Sequence, residues 1–205
     1  MKRIRALAGP ALTFVAAAVT SVLVAGPVVA APVSLAALSN YINGIGSVQT
    51  DFTQLNPDGS RSEGIVKIKR PGRMRFEYTK PDNSLVLAGA GQVAIFDAKS
   101  NLPPEQYPLS QTPLNLILRS TVDWRVSRSV VGHGEQDGMT TVTVQDPNRP
   151  EIGTMTMFFE PSPIRLAQWI VTDESGGRTL VKLGKMTAAD FPPSTFSITN
   201  EARNR

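Results

Sequence analysis

The chain has 205 residues, a formal net charge of +4 and no cysteine. The missing cysteine excludes disulfides, thiolate catalysis and cysteine-based metal sites. It also means that the chain is not itself a lipoprotein, since acylation would need an N-terminal cysteine.

Lys2, Arg3 and Arg5 precede an apolar run from residue 12 to 24, followed by the small-residue stretch Ala25, Gly26 and Val28-Val29-Ala30. This is the pattern of a secretory signal peptide over residues 1–30, cleaved after Ala30 or Ala31. As an uncleaved anchor the run would be short, and it is broken by Thr13, Thr20, Ser21 and Pro27. Removing Lys2, Arg3 and Arg5 takes the 21 basic residues to 18 against 17 acidic ones, so the charge falls from +4 to +1. The high isoelectric point therefore reflects the leader, and a basic nucleic-acid-binding surface is not supported. Residues 31–205 suffice for one domain with its own core.

Ser34 to Ile45 reads as a helix, with Leu35, Leu38, Tyr41, Ile42 and Ile45 on one stripe, Ser34 as N-cap and Gly44 and Gly46 at its end. Ser47 to Leu55 alternates as a strand, and Asn56-Pro57-Asp58-Gly59 is a turn. Gly64 to Tyr78 reads as two strands joined at Pro71-Gly72. By strand parity Val66, Ile68 and Arg70 share one face, as do Met74, Phe76 and Tyr78. Lys67, Lys69, Arg73, Arg75 and Glu77 oppose them. Arg70 alone puts a charge on the apolar side. Either it snorkels to water at the strand end, or it is covered and needs acceptors.

Further strands are expected at Leu85–Ala88, Val93–Asp97, Trp124–Val131, Met139–Gln145, Gly153–Phe159, Leu166–Thr172 and Thr179–Leu183. Turn signals separate them, among them Gly89-Ala90-Gly91, Gly132-His133-Gly134, Asp137-Gly138 and Gly176-Gly177. The spacing predicts an antiparallel sheet curled into a sandwich or barrel, mainly β with few helices. Asn101 to Pro113 breaks the pattern with its prolines and leads into the short apolar helix Pro113–Arg119. It is either a mobile cover over a cavity or a long loop pinned by a small core helix.

Five segments together resemble the LolA family of periplasmic outer-membrane lipoprotein carriers: DFTQ at 51–54, GIVKIKRPGRMRFEY at 64–78, YTKPDNSLVLAGAGQVAIFD at 78–97, YPLSQTPLNLILR at 107–119 and RLAQWIVTDESGGRTLVKL at 165–183. The resemblance implies a half-open antiparallel β-barrel with helices forming a lid over an apolar cavity that takes lipoprotein acyl chains. Its lining would be Val66, Ile68, Met74, Phe76 and Tyr78 from the sheet and Leu38, Ile42, Leu116 and Ile117 from the helices. Arg70 would be a latch that hydrogen-bonds the lid when the cavity is empty. The implied partners are acylated lipoproteins, an inner-membrane ABC lipoprotein-releasing complex and an outer-membrane lipoprotein receptor. The carrier would be a monomer in the periplasm, with no cofactor and no metal.

No nucleotide-binding glycine loop, metal-ligand cluster or Ser-His-Asp set appears, and an enzyme is not expected. His133, the single histidine, reads as a solvated turn residue, and Met155 and Met157 as core filling. The alternatives are a periplasmic lipid-sensing regulatory module and a paralogous carrier of another lipid.

Overall fold

The computed structural model describes residues 31–204. Helix α1 spans Leu35–Gly44 and is capped by Ser34, whose Oγ accepts from Ala37 N at 3.2 Å. Strands β1 (Ser47–Leu55), β2 (Arg61–Lys69), β3 (Arg73–Tyr78), β4 (Leu85–Gly89), β5 (Gln92–Phe96) and β6 (Glu105–Pro108) follow. After the single-turn helix α2 (Asn115–Leu118) come β7 (Val130–Gln136), β8 (Met139–Gln145), β9 (Thr154–Pro161), β10 (Ile164–Thr172), β11 (Arg178–Leu183) and β12 (Thr187–Ala188), then α3 (Ile198–Asn204).

The strands form one antiparallel sheet in the order β6-β5-β4-β3-β2-β1-β11-β10-β9-β8-β7, with β12 also paired to β1. Two meanders thus meet where β1 pairs with β11. Phe76 on β3 and Trp169 on β10 lie four strand spacings apart, about 19 Å in a flat sheet. Their ring centroids are 6.3 Å apart, so the sheet must be curled. The main core sits in the resulting concavity and joins β2 and β3 to β8, β9 and β10 through α1 and α2.

Three expectations are corrected. The strand expected at Trp124–Val131 begins only at Val130 and runs through the expected turn at Gly132-His133-Gly134. Trp124 instead anchors an irregular segment in the core, its N–H donating to Ser39 Oγ at 2.9 Å. A shift in register between Val130 and Gly132 then starts the edge strand against β8. His133 is therefore an exposed strand residue, with Nε2 2.9 Å from Val33 O. Within Asn101–Pro113, β6 pairs with β5 as an edge strand, where proline at the strand end costs no ladder bond. The expected signal peptide lies outside the described residues.

The outer face is not bare. Leu85, Leu87, Ala94 and Phe96 form a second cluster there, covered by Phe191 and Phe196 of the C-terminal segment. A Cβ at Gly89 would lie 2.1 Å from Phe196 O, so only glycine permits this close approach. Arg75 is clasped by the same segment: it donates to Glu201 Oε2 at 2.8 Å, to Thr195 O at 3.3 Å and to Glu77 Oε1 at 2.7 Å. Burial alone would raise the Glu77 pKa, but hydrogen bonds from Lys67 and Arg75 outweigh it and hold the carboxyl below the usual glutamate range.

Replacing Arg75 by Met keeps the stem and removes the charge. At neutral pH the variant should lose about 1 kcal/mol, since the pair is part-exposed and screened. A carboxyl with a depressed native pKa stabilises the fold above its unfolded value, and this is lost as pH falls through the native one. The wild-type advantage in urea unfolding should therefore shrink below about pH 4.3. An advantage unchanged in acid would mean that Arg75 acts by packing alone.

Candidate functional site

The concave face is apolar because β2 and β3 pair in a register that stacks like on like: Val66 opposite Phe76, Ile68 opposite Met74 and Gly64 opposite Tyr78. All four apolar partners are buried, as parity predicted, while Ile65 on the other face is 39% exposed. Gly64 separates Phe52 from Tyr78 across the sheet, and their rings meet at 5.2 Å over the missing side chain. Phe76 is edge-on to Phe52 at 5.1 Å. Tyr78 is half-buried, its hydroxyl donating to Gln54 Oε1 at 2.8 Å, and burial pushes its pKa up to about 12.

Leu38 and Ile42 from α1 and Leu116 and Ile117 from α2 are buried in the same core cluster. The structure therefore brings together every apolar residue picked from the sequence. The helices sit directly on the sheet, so any guest in this space must first displace them. Sequence reasoning missed Phe52 and Trp169 on this face and Trp124 in the segment that packs over it. Phe52 was legible from the alternation in β1, but Trp169 depends on how far the sheet curls and Trp124 on its distant bond to α1.

Arg70 closes the arrangement. Its guanidinium donates through Nη1 to Ile42 O in the last turn of α1 and through Nη2 to Arg119 O, just past α2, at 2.8 Å. Asn43 Oδ1 lies 3.4 Å from Nη2. The backbone around it adds two bonds, Arg70 N to Gly46 O at 3.0 Å and Gly72 N to Leu118 O at 2.8 Å. Of the two sequence-level readings, the covered one therefore fits this geometry, and burial shifts the Arg70 pKa downward. Nε is buried and has no hydrogen-bond partner among the described residues. The closed arrangement thus leaves one donor unsatisfied, a cost of about 1–3 kcal/mol.

Among the described residues there is no group of three or more His, Asp or Glu side chains placed to hold a metal. The concave face offers hydrocarbon and one fixed cation, which suits an apolar guest that can displace helices.

Truncating Phe76 to Ala should destabilise the protein by about 3–5 kcal/mol in urea unfolding. Ile65→Ala, one strand away on the outer face, should cost less than about 1 kcal/mol. Equal costs would contradict the facing described.

The family model for "Outer membrane lipoprotein carrier protein LolA" matches residues 43–199. An outer-membrane lipoprotein carrier protein of Xylella fastidiosa is 26% identical over 200 residues, covering 88% of this chain and 89% of the relative. One from Methylococcus capsulatus is 23% identical over 174 residues, covering 80% and 83%. Among solved structures, a LolA superfamily protein from Nitrosomonas europaea aligns with a TM-score of 0.45 at 13% identity, over 80% of this chain and 98% of that one. The family match takes in most of the concave sheet, α2 and the Arg70 corner, and the chain belongs to the LolA family of outer membrane lipoprotein carrier proteins.

Proposed function

We propose that this protein ferries lipoproteins through the periplasm, holding their acyl chains between the concave face and the two helices. An inner-membrane ABC lipoprotein-releasing complex would load it, and an outer-membrane lipoprotein receptor would unload it. The family is one of carriers rather than enzymes. The observation that carries the finer reading is the Arg70 guanidinium, which fastens both helices over an apolar face they could otherwise leave.

In this reading Val66, Ile68, Met74, Phe76 and Tyr78 receive acyl chains once Leu38, Ile42, Leu116 and Ile117 swing away and become the opposite wall. Met74 suits variable chains because its thioether adapts to irregular contacts. Arg70 is the latch. Entry of cargo breaks its bonds to Ile42 O and Arg119 O, each of about 1.5–3 kcal/mol before water compensates. The loaded state is then less favourable than its apolar contacts alone would make it, and release to a receptor runs downhill without ATP.

Arg70→Leu removes the latch and adds apolar lining. Loading should persist or strengthen, and transfer to receptor-bearing membranes should slow about tenfold, as expected from removing one to two kcal/mol of closing energy. Arg70→Lys should lie between, since three donors on a point charge span two carbonyls less well. The measurement is the lipoprotein co-isolated with the carrier together with the transfer rate. Normal loading with wild-type transfer would reduce Arg70 to a structural charge, and absence of lipoprotein in the isolated material would overturn the carrier reading.

A further inference from the structure

Helix α1 is tied to the chain beyond α2 by two of its own side chains. Ser39 and Asn43 are four residues apart and so share a helix face. Asn43 Nδ2 donates to Val122 O at 2.7 Å, and its Oδ1 accepts from Val122 N at 3.0 Å. This is the two-bond pairing that a neighbouring strand would supply. Ser39 Oγ accepts from Trp124 N at 2.9 Å while donating to Leu35 O at 2.7 Å, and Ser39 is 3% exposed. Residues 120–123 have no strand or helix of their own. Within this stretch Val122 draws both its backbone hydrogen bonds from α1, as buried backbone groups must find partners somewhere.

The bonds from α1 and its leader to the sheet lie elsewhere. Leu166 N donates to Tyr41 OH at 3.1 Å, beside the irregular step in β10, and Val33 N donates to Thr140 Oγ1 at 2.8 Å on β8. Arg70 reaches the opposite end, where Asn43 Oδ1 is shared between Val122 N and the guanidinium.

We propose that Ser39 and Asn43 weld α1 and residues 115–124 into one rigid cover, so that the two helices leave the concave face together or not at all. They are positioning residues, acting on the cover rather than on a guest. A cover of one piece opens between two states instead of fraying helix by helix. Arg70 then needs no separate release for each helix. The purpose of this device rests on the carrier reading, but the coupling itself is a property of the empty protein.

The test is amide hydrogen exchange on lipid-free protein. Tyr41→Phe removes the bond that holds α1 to β10, and should raise exchange in α1 by about fivefold, the effect of losing one hydrogen bond. With Ser39 and Asn43 present, residues 116–122 should speed up by the same factor, although Tyr41 makes no hydrogen bond to them. In a Ser39→Ala/Asn43→Ala background the same change should speed α1 and leave 116–122 within about twofold of their own baseline. Asn43→Asp with Ser39 intact keeps the acceptor for Val122 N but replaces the donor to Val122 O with a second acceptor, and should cut the response of 116–122 below that of the intact pair. The proposal is overturned if 116–122 ignore Tyr41→Phe when both residues are present, or follow α1 equally when both are gone. Should the double variant not fold, the first of these outcomes and the Asn43→Asp response still decide. Lipid plays no part in the readout, so failure of the coupling is distinguishable from failure of the carrier reading.

Discussion

A guanidinium keeps its charge at any physiological pH, so wherever it is covered it must be given acceptors. At the corner between β2 and β3 the available acceptors are helix ends. The last turn of a helix presents carbonyls with no partner within the helix, and a cation there is favoured by their aligned dipoles. Ile42 O belongs to the last turn of α1, and Arg119 O follows α2. Both helices direct their C-terminal carbonyls at Arg70. Ile42 O also accepts from Ile45 N at 3.2 Å, so the guanidinium adds a second bond there and ties the ends of both helices to the same sheet corner. The position of α1, the single turn of α2 and the run to Trp124 all follow from that meeting point.

The parts legible in the sequence were those governed by period and by local caps. Ser34, the alternation of β1 and the like-on-like pairing of β2 with β3 all depend on neighbours within a few residues or across one hairpin. The parts that were not legible depend on distant partners. Gly132-His133-Gly134 carries a turn signal, yet β8 supplies a partner and the segment becomes a strand. Trp124 was expected to start a strand, but its backbone N–H is satisfied by a serine 85 residues earlier. At the site, Leu38 and Ile42 lie on the apolar stripe of the predicted helix, while Leu116 and Ile117, in a helix apolar nearly all round, were placed there by the family resemblance. Ser39 and Asn43 left only a spacing of four, which thousands of solvent-facing pairs share, and nothing in the chain marks Val122 as their partner.

The outer face shows the same limit from the other side. Arg75 and Glu77 looked like a solvated charge row by parity. The C-terminal segment returns over β3 and β4, and it buries Phe191 and Phe196 against Leu85 and Leu87. Its ion pair with Arg75, made by Glu201, sits at the border of that patch, where partial burial strengthens it without a full desolvation penalty. The sheet is thus covered on both faces around β3 to β5, by the helix-bearing core inside and by the chain end outside. Among the described residues the inner cover is fastened by a guanidinium whose Nε has no partner, whereas the Arg75 guanidinium outside is paired through Nε and Nη1.

That asymmetry matters for a carrier because its large energy terms nearly cancel. A chain of about 15 methylenes is worth about 12 kcal/mol on leaving water. Cargo does not leave water, however; it leaves one hydrocarbon environment for another. The empty protein does not wait with a wet cavity either, since Val66, Met74 and Leu38 are already at 0–1% exposure beneath the helices. In the proposed reading, entry would trade helix-to-sheet contacts for chain-to-sheet contacts, with little net change in apolar area exposed to water. What would then remain is the proposed latch: two bonds to carbonyls gained on closing, set against one buried Nε that would be rehydrated on opening. These amount to a few kcal/mol in opposite directions. Where the hydrophobic terms cancel, a balance of that size would be enough, in the proposed carrier reading, to set which way lipid moves.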